Sequence, residues 1–483
     1  MGERSDKYEA VIGLEVHAQL STRSKMFCAC STAFGAAPNT QVCPVCLGLP
    51  GALPVVNRKA VEYAIRMGLA THCAIAGESV FARKNYFYPD CPKNYQISQY
   101  DLPLCVGGHV TIGDGTRKIG IRRIHLEEDA GKLVHAEAAD YSLVDMNRCG
   151  VPLIEIVSEP DMRTPREARE CMQKLRALVR YLDICDGNME EGSLRCDVNV
   201  SVRPRGTAVF GTSTEIKNVN SFKFVEQAIT FEIERQEGIL DAGGRIEHAT
   251  LTWDAQRGEA HLMRSKEEAH DYRYFPEPDL RVLRTPRAMV EAVAASVPEL
   301  PDDRRERFVA AYGLPAYDAG VLTVQREIAD YFEAVAAHAG DAKAASNWVM
   351  GEVLRELNER ALDITAFPVA PGDLGELIRT LSGGAINAPT AKDVFREMAA
   401  SGRKPAEIIS EKGLLQIRDE GMIREAAARV IEENPDALAK YLDGREKLLQ
   451  FFMGELMKAT RGKASPELAG RILKKLLDAR REK

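Results

Sequence analysis

Four cysteines in one short stretch carry the clearest chemistry in this 483-residue sequence. Cys28 and Cys30 form one close pair and Cys43 and Cys46 form another, with twelve residues between the pairs. Two close pairs on tight turns can converge as a tetrahedral thiolate site for zinc. Four thiolates leave no open coordination position, so such a site would be structural. An iron–sulfur cluster and four ordinary cysteines are the alternatives.

The other seven cysteines lack paired spacing, and we expect each to be a small core residue. They are Cys73, Cys91, Cys105, Cys149, Cys171, Cys185 and Cys196. The first residues have no long apolar region typical of a signal peptide, and no run of about 18 apolar residues predicts a membrane-spanning helix. We therefore expect reduced thiols, a cytoplasmic location and no membrane partner.

Acidic side chains on predicted strands indicate a second, different site. The segment EAVIGLEVHAQL alternates apolar and polar residues, so Glu15 and His17 project from one face of a strand. The segment LRCDVNVSV repeats this pattern and places Arg195 and Asp197 on its polar face. Glu155 interrupts the apolar run PLIEIV, where a charge is costly unless it is paired or bound to metal.

These strands would create a cation site if they shared one sheet. Clustered carboxylates repel one another unless a cation lies between them, and oxygen ligands favour Mg²⁺ or Mn²⁺ with phosphate as a co-ligand. The candidates on the strands are Glu15, His17, Glu127, Glu128, Asp129, Glu155 and Asp197. Basic residues that could hold phosphates are Arg122, Arg123, Lys132 and Arg195. Salt bridges among these same residues are the alternative.

Two strings rich in aromatic and basic residues could bind nucleotides. They are RKNYFYPDCPKNYQISQYD (83–101) and DYRYFPEPDL (271–280). Aromatic rings can stack bases while Arg and Lys side chains hold phosphates, although such loops also simply pack. The sequence has no Walker A pattern, no GxGxxG fingerprint and no G-x-S-x-G or serine-rich amidase signature. If the chain uses ATP, metal and carboxylates must hold it without a P-loop.

Local patterns predict an α+β fold. To about residue 290 the sequence reads mainly as strands, with one clear helix over TPREARECMQKLRALVRYLDI. Thr164 and Glu167 have the spacing of a capping box at the start of that helix. After Val290, alanine-rich amphipathic helices dominate. We place domain boundaries near residues 292 and 406.

Charge is distributed unevenly along the chain. The net charge is −7, yet residues 440–483 contain 12 Lys/Arg against 6 Asp/Glu. A globally acidic chain is not a general nucleic-acid binder, but a basic end could contact RNA. A solvated helix face is the alternative reading of this segment.

Longer strings add a resemblance to a known family. The most specific are VIGLEVHAQL, LEEDAGK, PLIEIVSEPDMR, EEGSLRCDVNVSVRP and DYRYFPEPDL, with NWVMGE and GELMKATRGKASPELAGRIL further along. Together with the string over residues 83–101, they closely resemble the GatB family, the B subunits of tRNA-dependent amidotransferases. The resemblance covers essentially the whole chain.

The resemblance implies three domains. Residues 1–292 would form a catalytic cradle, with an antiparallel sheet similar to the glutamine synthetase catalytic core and with the zinc loop. Residues 293–405 would form a helical domain, and residues 406–483 a YqeY-type helical tail that contacts tRNA. Two all-α domains would thus follow the cradle.

The resemblance also implies a reaction. Family members use ATP with Mg²⁺ to phosphorylate the side-chain carboxylate of Glu-tRNA(Gln), Asp-tRNA(Asn) or both, and ammonia then displaces the phosphate. A partner amidase subunit makes the ammonia from glutamine, and a small third subunit completes a heterotrimer. The missing amidase signature agrees with this division of labour.

Matching the family's motifs assigns roles to individual residues. The implied metal and ATP cluster is Glu15, His17, Glu127, Glu128, Glu155 and Asp197. We expect Glu15, Glu128 and Asp197 to be the direct metal ligands, with His17 close behind. Phosphate contacts are expected from Lys84, Arg123 and Arg195. The expected catalytic residues are Glu15, His17, Glu128, Asp197 and Arg195. The family's zinc loop matches the four cysteines Cys28, Cys30, Cys43 and Cys46.

Two other functions remain open at this point. A free-standing ligase could amidate a small amino acid, but such a substrate needs no RNA-binding tail. A non-catalytic tRNA scaffold is the other alternative, and the density of acidic residues on strands argues against it.

Overall fold

The computed structural model describes residues 7–113, 115–135, 140–265, 272–416, 419–460 and 463–481. It divides into two compact units, Met1–Pro301 and Asp302–Lys483. Within the described parts of the chain, no helix is both long enough and apolar enough to cross a membrane.

The first unit contains the strands. They are β1 (Tyr8–Gln19), β2 (Ala74–Ile75), β3 (Glu78–Ser79), β4 (Ala82–Asn85), β5 (Tyr95–Ser98), β6 (Cys105–Ile112), β7 (Arg117–Glu128), β8 (Lys132–His135), β9 (Ser142–Asp145), β10 (Pro152–Ser158), β11 (Leu194–Pro204), β12 (Thr214–Lys217), β13 (Ala249–Asp254), β14 (Glu259–Ser265), β15 (Phe275–Pro276) and β16 (Leu283–Arg284). Its helices are α1 (Arg58–Ala70), α2 (Pro165–Tyr181), α3 (Phe222–Asp241) and α4 (Arg287–Ala294).

One large sheet organises this unit. Its strand order is β14-β13-β12-β11-β1-β10-β7-β6-β2, so β1 lies in the middle of nine strands. Neighbouring strands are antiparallel except β12 and β13, which run parallel. The sheet is therefore mixed rather than purely antiparallel as predicted, while the α+β class is confirmed. Likeness to the glutamine synthetase core stays a prediction.

Helices cover the apolar face of the sheet. Ile12, Leu14 and Val16 of β1 are buried, and β1, β7 and β11 contact α2, α1 and α3 respectively. The predicted capping box of α2 is present, because the Thr164 side chain accepts from the Glu167 backbone and the Glu167 side chain accepts in return. Because helices cover that face, Glu15 and His17, which alternate with these apolar residues of β1, belong to the opposite face.

The isolated cysteines belong to the buried part of this unit, as predicted. All seven are buried, namely Cys73, Cys91, Cys105, Cys149, Cys171, Cys185 and Cys196. Burial raises the pKa of the Cys171 thiol to about 12, as expected for a thiol in an apolar core. These side chains therefore act as small core residues.

The second unit is helical over its described residues. Its helices are α5 (Pro301–Tyr312), α6 (Ala316–Leu322), α7 (Arg326–Ala339), α8 (Ala342–Trp348), α9 (Leu354–Arg360), α10 (Pro371–Ser382), α11 (Ala388–Ser401), α12 (Pro405–Glu411), α13 (Glu420–Glu432), α14 (Pro435–Leu442), α15 (Leu449–Ala459) and α16 (Pro466–Arg481). A π-helical segment, Val349–Val353, joins α8 to α9, and 3₁₀ turns lie at Ile364–Ala366 and Glu446–Leu448.

Two separate hydrophobic clusters lie within this second unit. One includes buried residues between 308 and 409, and the other includes buried residues between 423 and 477. The chain divides into compact units at residue 301. The predicted domain boundaries near residues 292 and 406 stay predictions.

Candidate active site and thiol cluster

The register of three central strands brings charged residues together. Glu15 of β1 lies opposite Asp197 of β11. His17 lies opposite Glu155 of β10 on one side and Arg195 of β11 on the other. Directly opposed residues in antiparallel strands have side chains within about 5.5 Å of each other. One face of the sheet therefore gathers three acids, an imidazole and a guanidinium around β1.

Strand β7 adds a second imidazole and another acid to this face. His125 lies opposite Glu155, and Glu127 follows two residues later on the same side of β7. The Nε2 of His17 is 3.2 Å from Oε2 of Glu155 and 3.6 Å from Oε1 of Glu127. The Nε2 of His125 is 3.6 Å from Oε2 of Glu155 and 3.8 Å from Oε2 of Glu127. Two imidazoles thus bracket two buried carboxylates.

The two buried carboxylates of this group stabilise positive charge on the groups beside them. Burial opposes the charged form of His17, but Glu155 and Glu127 outweigh it and raise the pKa of His17 to about 9. Burial likewise opposes ionisation of Glu155, yet His125 and His17 hold its pKa well below the ordinary value. Ligand atoms of His17, Glu127 and Glu155 lie within 4.8 Å of one another, so they could hold a metal ion in place of the His17 proton.

Glu15 and Asp197 form a flanking group with residues of β12. Burial, followed by the charges of Glu155, Glu215 and Asp197, raises the pKa of Glu15. Lys217 Nζ lies 2.6 Å from Asp197 Oδ2 and 2.8 Å from Glu215 Oε1. Asp197 is therefore engaged by a lysine in this structure, while Glu15 accepts a hydrogen bond from the Asn199 amide at 3.1 Å.

The predicted phosphate-binding residues lie around the same face. Arg195 donates to Asp129 Oδ1 at 3.0 Å. Burial opposes the charge of Lys84, but Glu127 and Glu155 outweigh it and raise the Lys84 pKa. Arg123 lies opposite Val157 at a β-bulge, and its buried Nε has no hydrogen-bond partner among the described residues. Positive and negative groups therefore alternate across the site.

Glu128 does not belong to this face, which corrects the prediction that it binds metal beside Glu15 and Asp197. Side chains alternate along β7, so Glu128 shares the side of Ile124 and Leu126 rather than that of Glu127. Its carboxylate pairs with Lys93 and accepts from the Ile97 backbone N–H at 3.0 Å. Glu128 instead lines a cavity of about 110 Å³ next to Cys28 and Cys46.

The four clustered cysteines do converge. Ligand sulfurs of Cys28, Cys30, Cys43 and Cys46 lie within 4.8 Å of one another, and no disulfide joins them. The Cys43 backbone N–H donates to Cys46 Sγ at 3.2 Å. The cluster could therefore hold a structural metal ion such as zinc.

A buried lysine supports the same interpretation. Lys25 is 0% exposed, and its ammonium lies 3.7 Å from Cys46 Sγ and 3.3 Å from the Met146 carbonyl oxygen. Over the described ranges, no carboxylate lies within the 4.0 Å ion-pair distance of this ammonium. A buried ammonium needs an anion. Hydrogen bonding from Cys28, with a further contribution from Lys25, lowers the pKa of Cys46 to about 4.

The chain is similar to known proteins over 98% of its length. A model of the GatB/GatE catalytic domain matches residues 10–291, and a model of the GatB domain matches residues 330–477. The chain belongs to the GatB family. GatB-family relatives from Moorella thermoacetica and Chlorobium luteolum are each 56% identical, over 98% of this chain and 100% of the relative. A relative from Thermodesulfovibrio yellowstonii is also 56% identical, over 98% and 99%. The names of all three describe the B subunit of an aspartyl/glutamyl-tRNA(Asn/Gln) amidotransferase.

Sequence reasoning missed several residues of this candidate site. His125 has a local signal, because it precedes Glu127 by two positions on a predicted strand and so shares its face. Lys217 and Glu215 lie on the short strand β12, whose place beside β11 is a long-range pairing with no local signal. Asp129 was identified as an acid, but not as the partner of Arg195.

Replacing one ligand of the thiol cluster tests whether it holds metal. We expect Cys43→Ser to lose most of the zinc bound by the wild type and to unfold at a lower temperature, because three thiolates hold zinc less tightly than four. Elemental analysis and thermal unfolding measure both effects. Cys171→Ser, at a buried position outside the cluster, should keep its metal. A wild type with no bound zinc or iron would contradict the assignment.

Replacing the buried lysine tests the charge balance of the cluster. Lys25→Met keeps the length of the side chain but removes the ammonium beside Cys46. We expect faster transfer of metal to a competing chelator, by roughly tenfold, because the anionic cluster loses a buried counter-charge. Lys59→Met, on the exposed start of α1, is the matched control. Equal release rates for Lys25→Met and wild type would show that Lys25 has no such effect.

Proposed function

We propose that this chain is the subunit that activates and amidates the amino acid on a misacylated tRNA, in an ATP-dependent ligase reaction. The substrate would be Glu-tRNA(Gln), Asp-tRNA(Asn) or both, and the products Gln-tRNA(Gln) or Asn-tRNA(Asn). The observation that carries the proposal is the gathering of Glu15, His17, Glu127, Glu155 and Asp197 on one face of the central sheet. The names of the relatives support the substrate class.

The chemistry of amidation requires an activating step. A carboxylate resists attack by ammonia because the leaving group would be an oxide ion. Transfer of the γ-phosphoryl group from ATP to the side-chain carboxylate forms an acyl phosphate and releases ADP. Ammonia then attacks the acyl carbon, phosphate leaves, and the amide remains. The protein's part in such phosphoryl transfer is chiefly positioning and charge stabilisation.

The residues at the cluster fit a magnesium ion bound with ATP. Glu127, Glu155 and His17 would hold the ion, with Glu15 and Asp197 beside them. Bound Mg²⁺ would neutralise charge on the transferring phosphoryl group. Lys84, Arg123 and Arg195 would contact phosphate oxygens. In the part of the chain that the structure describes, the buried Nε atoms of Arg123 and Arg195 have no hydrogen-bond partner, which supports this role. Glu128 has no place in this set because it pairs with Lys93 on the other side of β7.

The proposal assigns ammonia production to another chain. A partner amidase subunit, GatA, would release ammonia from glutamine, and a small subunit, GatC, would complete a heterotrimer in the cytoplasm. The absence of an amidase signature in the sequence agrees with this assignment. The word "subunit" in the relatives' names supports an assembly. The thiol cluster would bind a structural zinc ion and take no part in the reaction.

The helical end of the chain would contact the tRNA. Residues 423–477 have their own hydrophobic cluster, so they form a separately packed element. The segment 440–483 has 12 Lys/Arg against 6 Asp/Glu in an otherwise acidic chain. Lys474 and Lys475 lie exposed on α16. A basic helical element on an acidic body can attract the phosphate backbone at one location.

A charge-removing variant in the central cluster tests the catalytic assignment. We expect Glu155→Gln to lower tRNA-dependent ATP cleavage by the assembled enzyme about 100-fold, because one carboxylate of the metal site is lost. Glutaminase activity of the partner should remain, since it resides on another chain. Release of labelled phosphate measures the effect.

The control for this test is Glu159→Gln, which removes a partly exposed acid that pairs with Arg122 beyond the end of β10. It should cleave ATP like the wild type. Full activity of Glu155→Gln would refute the metal assignment. Wild-type phosphate release with free glutamate instead of tRNA would indicate a small-molecule ligase, and no release with either would indicate a scaffold.

Removal of the last helices tests the tRNA-contact proposal. A variant that ends before α13 retains the hydrophobic cluster over residues 308–409 but lacks the basic segment 440–483. We expect this variant to bind tRNA roughly tenfold more weakly and to bind ATP like the wild type. Lys474→Gln with Lys475→Gln should weaken tRNA binding less and reduce its salt dependence. Glu467→Gln is the control on the same helix. Equal losses of ATP and tRNA binding on deletion would count against a tRNA-contacting tail.

A further inference from the structure

The structure joins the two aromatic strings that lie far apart in the sequence. Strand β15 (Phe275–Pro276) pairs with β4 (Ala82–Asn85), which pairs in turn with β5 (Tyr95–Ser98). Across this small sheet the rings of Tyr100 and Tyr274 stack, with centroids 4.1 Å apart and planes inclined by 4°. Tyr272 meets Tyr274 edge-on at 6.1 Å. The position Asp271, at the start of the second string, lies outside the described residues.

This tyrosine group lies next to the acidic cluster. The Ser98 hydroxyl donates to Glu127 Oε2 at 3.3 Å, and Tyr100 follows Ser98 by two residues, about 7 Å along the chain. Lys84 Nζ lies 4.9 Å from the centre of the Tyr272 ring. Burial raises the pKa of Tyr274, Lys84 lowers it, and the charges of Glu127 and Glu155 raise it further, to about 12. The tyrosines and the carboxylates therefore share one environment.

The backbone around the tyrosines is held in an unusual conformation. Arg273, between Tyr272 and Tyr274, has a φ of 41°, which is costly for a residue with a side chain. The Asn85 amide donates to the carbonyl oxygens of Tyr272 at 3.2 Å and Arg273 at 2.9 Å, and its backbone N–H donates to Tyr272 at 2.9 Å. These bonds fix the turn that sets Tyr274 against Tyr100.

The two stacked rings differ in their exposure to solvent. Tyr274 is partly buried and backs one face of Tyr100, while Tyr100 itself is 47% exposed. A phenol ring that is rigidly backed and half exposed offers a flat surface to another ring. Aromatic side chains beside cationic groups are the usual platform for unpaired bases.

We infer that Tyr100, backed by Tyr274, stacks an adenine base beside the acidic cluster. This inference rests on the proposed function, in which both substrates carry adenine, namely ATP and the 3′-terminal nucleotide of tRNA. In either case a short chain of bonds links the base to the reacting group. Stacking on Tyr100 would position that group near Glu127 and Lys84 without any hydrogen-bond reading of the base.

The experiment compares Tyr100 variants in the assembled enzyme. Tyr100→Leu removes the aromatic face and keeps an apolar side chain, while Tyr100→Phe keeps the face and removes only the hydroxyl. Tyr88→Leu is the matched control, because Tyr88 is in the same string, is 55% exposed and lies outside the stacked pair. Thermal unfolding of each variant confirms that it folds.

Two binding measurements distinguish the sources of the base. One is equilibrium binding of labelled ATP with Mg²⁺ and without tRNA. The other compares tRNA with and without its 3′-terminal adenosine. If Tyr100→Leu weakens ATP binding about tenfold and Tyr100→Phe does not, the base belongs to ATP. If it weakens binding of intact tRNA but not of shortened tRNA, the base is the terminal adenosine.

Either result supports the platform. The inference is overturned if Tyr100→Leu binds both ligands within twofold of the wild type, or if Tyr100→Phe loses as much affinity as Tyr100→Leu. It is also overturned if Tyr88→Leu has the same effect as Tyr100→Leu. A wild type that lacks tRNA-dependent ATP cleavage would instead contradict the proposed function, whatever the Tyr100 variants do.

Discussion

Repulsion among buried carboxylates is the constraint on which this structure depends. Glu127 and Glu155 are both buried on one face of the central sheet, where uncompensated negative charge is expensive. The imidazoles of His17 and His125 each lie near both acids, and Lys84 lies nearby, so these groups offset the negative charge. In the proposed function, a cation supplied with a nucleotide would take over the neutralising role, and the same repulsion would favour the binding of Mg²⁺ with phosphate.

Two supports keep this face in place. Apolar residues of β1 pack beneath it against α2, so the register of β1 with β10 and β11 is fixed by burial on the other side. The second support lies beside the thiol cluster, where Lys93 pairs with Glu128 at the end of β7 and both line one cavity with Cys28 and Cys46. A structural metal at the cysteines would therefore stabilise the strand that carries His125 and Glu127 without entering the reaction.

Local patterns were enough for much of this architecture and for part of the site. Alternation placed Glu15, His17, Arg195 and Asp197 on polar faces, and cysteine spacing located the thiol cluster. Alternation also separates Glu127 from Glu128, which lies on the other side of β7, whereas the match to the family's motifs had assigned both acids to the metal site. The contacts of Lys217 and Arg195 depend on pairings between segments distant in sequence, which no local period encodes.

The most direct test of the central claim is the position of the bound ion. Crystals of the assembled enzyme grown with Mn²⁺ and a non-hydrolysable ATP analogue would locate the metal by its anomalous scattering. The account predicts a peak in contact with the carboxylates of Glu127 and Glu155 and the ring of His17, with the nucleotide's phosphates beside Lys84. Bound nucleotide with no metal there, or with metal at Glu128, would contradict it.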